Sequence, residues 1–385
     1  GGGGGGGSDS PVDDGGGTPT VVGNLEPVGN FKFNENEVAD IVEMEYKNNV
    51  YQIDGINLYQ IGADTIGLDK NAEAINLRTN KSVTVDALHK GDVIIITPQK
   101  TEDVFYSLMF EISNIVADSE LCNVAVEPVN IDSIFDKFKV HLKINIDTRF
   151  NENIMAISAA EHTTDVRMGA RSLVDYLPEI TPNDAGGMDI KFDFSESGQA
   201  LTATMTNVCV ESEFGLDESY ANVYADSIRF DYNAINMNWS EVYYLFEQTF
   251  MAGPVPIVLG LELNPYMSLS MSVACEFKNP YAYAKAWIFE APPNGANRIT
   301  LEKNCGDPYL QKPAIEANAD GKCGAKLDAK IYVGLPEKFV NDAGNSFKKL
   351  FPNVWVVNML IDTIVEKLQK INAGVYATVA DAVVH

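Results

Sequence analysis

Period-two alternation of apolar and polar residues constrains this chain more than any other feature. In FKVHLKINID, Phe138, Val140, Leu142, Ile144 and Ile146 share one face, and Lys139, His141, Lys143, Asn145 and Asp147 share the other. Side chains of a strand point alternately to opposite faces, so such a run buries its apolar side against a second layer. KLDAKIYV repeats the pattern with Leu327, Ala329, Ile331 and Val333, and DIKFDF and SIRFDY add two more strands. Clean alternation predicts antiparallel sheets with one wet face. A doubly wound fold would instead interleave apolar strands with helices. The expected fold is all-β: an antiparallel β-sandwich body with a small N-terminal β module and one packed C-terminal helix.

Three segments follow from the patterning. Residues 1–30 open with GGGGGGGSDSPVDDGGG and read as a Gly/Asp-rich tether, since such segments behave as flexible coils. An engineered linker is the alternative, but Asp9, Asp13 and Asp14 among the glycines favour a natural tether. This start resembles the mature end of a bacterial lipoprotein, whose lipidated cysteine would stand just before Gly1. Residues 31–135 form the β module. There AINLRTNKSVTV is two strands around Asn80-Lys81, and Gly91-Asp92 turns into the apolar run Val93 to Ile96. VFYSLMFEISNIV and LCNVAVEPV make a hairpin across Ala117 to Glu120. Residues 136–385 form the body.

Within the body MGARSLVDYLPEI suggests a weak helix, followed by the loop TPNDAGGMD. Near 354–371, Val357, Leu360, Ile361, Ile364, Leu368 and Ile371 recur at helical spacing, with Glu366, Lys367 and Lys370 opposite. Such a stripe packs on a sheet, or else meets a membrane surface or partner. No folded element is expected of the closing VADAVVH. The most distinctive stretch is MAGPVPIVLGLELNPYMSLSMSVACEF. It predicts a strand to Leu263, a turn at Asn264-Pro265, a second strand to Phe277 and another turn at 279–281 into YAYAKAWIFE, a three-strand meander.

These motifs resemble a group of large secreted bacterial proteins, many of them lipoproteins, that have no assigned activity. They share a "GPVPV" hairpin, matched by Gly253-Pro254-Val255-Pro256-Ile257, followed by a tyrosine and a tryptophan, matched by Tyr283 and Trp287. Their upstream "kxGDVI" turn is matched by Lys90-Gly91-Asp92-Val93-Ile94. The likeness spans roughly residues 70 to 335 and carries over no catalytic residue. It implies a β-rich protein of the cell surface.

The search for chemistry returns no catalytic motif. His89, His141, His162 and His385 form no pair at ligand spacing, and EHTTD is not H-E-x-x-H. There is no G-x-S-x-G, P-loop or G-x-G-x-x-G. The net charge of −26, from 54 acidic and 28 basic residues, excludes nucleic acid and anionic lipid as partners. The chain has no apolar run long enough to span a bilayer, so a membrane would be met only through the N-terminal lipid anchor.

Three candidate sites remain. NDAGGMD and GLDESYANVYAD concentrate hard oxygen ligands, so Asp184, Asp189, Asp217 and Asp226 are candidate calcium ligands, unless these are simply solvated acidic loops. Tyr281, Tyr283, Trp287 and Phe289 lie on one face of YAYAKAWIFE, interrupted by Lys285. Such a row stacks on sugar rings, as in carbohydrate-binding modules, or covers the core beside the hairpin. Cys305 and Cys323 bracket a polar loop and would be bridged in an oxidising compartment, or stand as two thiols; Cys122, Cys209 and Cys275 fall within strands as buried thiols. The expected function is a non-enzymatic extracellular, surface-anchored protein for adhesion, assembly or glycan binding. The alternatives are a carboxylate-dependent polysaccharide-degrading enzyme and a filament or matrix subunit.

Overall fold

The longest element grows from the GPVPI stretch. Ser227–Ser240 and Val242–Ala252 run nearly end to end, and both pair with the single strand Val255–Lys278, from Ala252 opposite Val255 to Ser227 opposite Lys278. Gly253 and Pro254 make the turn. Gly253 has φ of 60°, and a Cβ there would lie 2.8 Å from the Tyr46 hydroxyl, so only glycine fits. Asn264-Pro265, expected as a turn, is not one. The strand runs straight through, with Pro265 in register with Ala325. On its other side the ladder steps from the Leu263–Tyr243 pair to the Tyr266–Ser240 pair, so the residue without an N–H sits where pairing is interrupted. The expected meander is therefore one long hairpin.

This computed structural model describes residues 23–62, 64–98, 107–117, 120–150, 155–157, 178–193, 200–240, 242–289, 299–304, 309–311, 323–334, 351 and 373–384. The fold is all-β, in three sheets. The back sheet runs Met155–Ile157, Val242–Ala252, Val255–Lys278, Ser227–Ser240, Ala200–Thr206, Met188–Asp193, Glu179–Pro182. Cys323–Val333 and then Ala373–Val384 continue it on the other side of the long strand. The front sheet runs Gly23–Asn24, Val38–Tyr46, Phe135–Asn145, Cys209–Gly215, Glu218–Tyr224, Tyr281–Trp287, Ile299–Asn304. Val140, Leu142, Val210, Phe214 and Val223 of the front sheet and Phe230, Leu259, Leu261, Leu327 and Ile331 of the back sheet are fully buried in one core. Each residue drawn from FKVHLKINID and KLDAKIYV for the core is there.

Three corners carry the chain between the sheets, at 206–208, 225–226 and 279–280, and they tie to one another. The Asp226 N–H donates to the Thr206 carbonyl, the Asn279 N–H to the Asp226 carbonyl and the Ala225 N–H to the Pro280 carbonyl. Asn207 and Asn279 take positive φ here, as asparagine tolerates.

The third sheet is the small module, in the order Leu58–Ile61, Thr65–Asp69, Leu121–Pro128, Leu108–Ala117, Val93–Thr97, Val50–Asp54, Glu73–Asn76, Ser82–Thr84. Its pairs are antiparallel except Val50–Asp54 with Val93–Thr97. The turn at Asn80, the Gly91 turn and the hairpin from Ala117 to Cys122 stand as expected. The outer boundaries do not. Val38–Tyr46 pairs with Phe135–Asn145 in the front sheet, so the module's own strands begin at Val50, between two body strands. Gly23–Asn24 and Glu26–Pro27 are also paired, and Leu25 is buried, so the stretch expected as tether joins the sheets by residue 23.

Other expectations fall differently. The helix near 354–371 lies outside the described residues, as does most of MGARSLVDYLPEI, whose last residues Glu179 and Ile180 open a strand. The unassigned C-terminal stretch contains the strand Ala373–Val384. Lys330 and Tyr332, expected on a wet face, are buried. Cys305 lies outside the described residues, so its bridge to Cys323 does too. Among the described residues no disulfide is present, and Cys122 and Cys209 are free thiols. No helix among them is long and apolar enough to cross a membrane.

Candidate functional site

The side of the front sheet away from the core gathers the candidate residues. In Tyr281–Trp287, Ala282 and Ala284 are buried, so Tyr281, Tyr283, Lys285 and Trp287 stand on the outer face. In Glu218–Tyr224, Ser219, Ala221 and Val223 are buried, so Glu218, Tyr220, Asn222 and Tyr224 stand on that same face. The register sets Tyr224 opposite Tyr281, Asn222 opposite Tyr283, Tyr220 opposite Lys285 and Glu218 opposite Trp287. The next strands extend the rows with Cys209, Glu211 and Glu213, then Asn145, Lys143 and His141.

Diagonal neighbours across the strands make the contacts. The Tyr220 and Tyr283 rings lie 5.7 Å apart at 30°. Lys285 Nζ is 3.0 Å from Glu218 Oε2, and His141 Nε2 is 3.2 Å from Glu211 Oε1. Lys139 Nζ donates to Asp217 Oδ2 at 3.0 Å and lies 3.7 Å from Glu213. Diagonal reach of this kind is what long side chains have on a pleated surface. Tyr281 is 38 % exposed, while Tyr220, Tyr224, Tyr283 and Trp287 are half-buried.

The electrostatics of the face are distinctive. Burial, with Glu211, Glu213 and Tyr283 adding, pushes the Tyr220 phenol up to about 12. Burial, with Cys209 and Glu211 adding, takes Tyr224 up to about 12 as well. The Cys209 thiol is raised by burial in spite of its hydrogen bond with Tyr224. Burial works against the Lys139 ammonium, but the hydrogen bond and charge of Asp217, with Glu213 and Glu43, outweigh it and hold the group above its usual range. Near neutral pH Tyr220 and Tyr224 are thus neutral phenols.

Of the four aromatic residues expected in a row, the structure brings three together. Phe289 leaves it. The strand ends at Trp287, alternation lapses, and the Phe289 ring packs edge-on against the core residue Phe214 at 6.2 Å and 86°. Tyr220 and Tyr224 were hidden in a stretch expected as a calcium loop, which is a strand instead. Its signal was there: Ala221, Val223 and Ala225 alternate with Tyr220, Asn222 and Tyr224.

The four expected calcium ligands do not converge. Asp184 lies in the turn at 183–187 and Asp189 in the strand that follows it; Asn183 Nδ2 donates to Asp189, and Asn183 Oδ1 accepts from the Ala185 and Gly187 N–H groups. Asp217 holds Lys139, and Asp226 accepts from Asn207 at 2.5 Å across two of the corners. No group of three or more histidine, cysteine or acidic side chains is placed to hold a metal among the described residues. Compared with known proteins, the chain matches no family model, no curated protein and no solved structure.

Proposed function

We propose that this chain is a non-enzymatic binding protein that takes glycan on the outer face of its front sheet. One observation carries the reading: five rings, Tyr220, Tyr224, Tyr281, Tyr283 and Trp287, stand on two paired strands and face away from the core. The C–H face of a sugar ring is apolar and stacks on such rings, while its hydroxyls reach the polar groups between them. Asn222 and the Glu218–Lys285 pair supply those groups. The extracellular setting expected from the sequence suits a protein that meets polysaccharide.

Affinity electrophoresis of the full chain through gels containing soluble polysaccharides tests the proposal. At least one neutral or amine-bearing polysaccharide should retard the protein. Trp287→Ala with Tyr283→Ala should weaken that retardation by about tenfold, the scale expected for two lost ring contacts, with the circular dichroism spectrum kept. Unretarded migration in every gel, or retardation that the double variant leaves unchanged, would sink it.

A further inference from the structure

We infer that the front face selects glycans carrying protonated amines, of the glucosamine-polymer class, over neutral and anionic ones. The inference rests on the glycan-binding reading above and narrows it.

Charge is the first argument. The rings stand among the carboxylates Glu211, Glu213, Asp217 and Glu218, on a chain whose net charge is −26. Of the lysines on this face, Lys139 is spanned by Asp217 and Glu213, Lys285 by Glu218, and Lys143 stands in register with Glu211. Burial raises the Tyr220 phenol, and the charges of Glu211 and Glu213 beside it add to the rise. A polyuronate would be repelled here, and an ammonium drawn in.

The rings themselves are the second. A cation over a tyrosine face is attracted by the ring quadrupole, and Tyr220 and Tyr283 offer two faces 5.7 Å apart. Hydrogen-bond chemistry is the third. Asn222 stands in register between Glu211 and Tyr283, and its Oδ1 is buried without a hydrogen-bond partner, as is Oδ1 of Asp217. An acceptor out of water and unpaired costs free energy until a donor meets it. An ammonium brings three donors and no acceptor; a carboxylate brings only acceptors. A ligand amine that parts the flanking side chains brings three donors to oxygens that the carboxylate of a uronate, which has none, cannot satisfy.

Calorimetric titration of the full chain with matched oligomers of glucosamine, N-acetylglucosamine, glucose and galacturonate, at mildly acidic pH and low salt, tests this. The glucosamine oligomer should bind about tenfold or more tightly than its acetylated form, and the galacturonate least. Raising the salt should shrink the preference. Glu211→Gln with Glu213→Gln should cut it to below about threefold, on the same grounds. Asn222→Ala, a smaller change, should cut it part of the way and serves if the double variant does not fold. Equal binding of amine and neutral oligomers, or a preference that both variants keep, overturns the inference and leaves the glycan-binding reading standing. No binding to any oligomer removes both.

Discussion

Both sheets of the sandwich carry a lysine, carboxylates and tyrosines on the side away from the shared core, and the two groups have opposite fates. On the front sheet the Lys139 side chain is 20 % exposed and shared between Asp217 and Glu213. On the back sheet Lys330 is 9 % exposed, ion-paired with Glu262, and its ammonium lies 4.7 Å from the Tyr244 ring centre and 5.5 Å from that of Tyr332. Gly260 opposite makes room, since a Cβ there would stand 3.1 Å from the lysine Cε. The residue types match; the cover differs. A covered cluster spends its polar groups on one another. An open one keeps ring faces and oxygens to offer a ligand.

Breaking the covered cluster should cost most. Lys330→Ala leaves Glu262 without its cation in a mostly buried place, which costs about 3 kcal/mol, the lower end for breaking a buried pair. Urea unfolding followed by circular dichroism measures it. The more open counterpart, Lys139→Ala, leaves partners that still reach water, Asp217 above all, and should cost less, about 1 kcal/mol. Equal costs would erase the contrast.

The turn of the long hairpin tests how tightly the two sheets are joined. Gly253→Ala forces a left-handed backbone on alanine, worth about 1–2 kcal/mol, and pushes on the Tyr46 hydroxyl of the front sheet. A thermal melt should show the loss. Tyr46→Phe in the same chain should recover part of it, and no recovery would mean that the backbone alone is responsible.

The mildest comparison has no effect at neutral pH. Tyr220 and Tyr224 are raised to about 12 from an ordinary 10. A raised folded pKa means that the folded state holds the proton longer. Its stabilising contribution is complete below pH 10 and is lost as pH rises through about 12. Phenolate absorbance should therefore show a late-titrating fraction that includes both, smaller by one tyrosine in Tyr220→Phe. If all tyrosines ionised together near the ordinary value, the burial of the Tyr220 and Tyr224 phenols beside Glu211 would be refuted.

The strands of this fold were legible wherever one face is wet. Phe138 to Ile144 alternate because water takes every second side chain, and the sequence records it. Val93 to Ile96 are buried on both faces and show only as an apolar run. Lys330 looked wet because a lysine usually is, and only its pairing with Glu262 explains its burial. Asn264-Pro265 had turn chemistry, but the interrupted ladder beside it accommodates a proline within the strand. On the candidate face, three of the four rings expected in a row stand on one strand. The other two came from a neighbouring strand whose acids and asparagine suggested a loop. Register across strands, which no single stretch encodes, is what assembled the five.

The module sits at a neck. Val38–Tyr46 and Phe135–Asn145 are neighbours in the front sheet, and the Lys47 N–H reaches the Ile134 carbonyl at 2.9 Å. From within the module Arg78 bridges Glu45 and Asp136, on both sides of that neck. During folding these two strands must find each other across everything between them. Loop-closure entropy grows only with the logarithm of the intervening length. A module that folds first, bringing its own ends together, would close that loop before the strands meet. The inserted sheet then acts as a clasp, setting the order in which the front sheet is assembled.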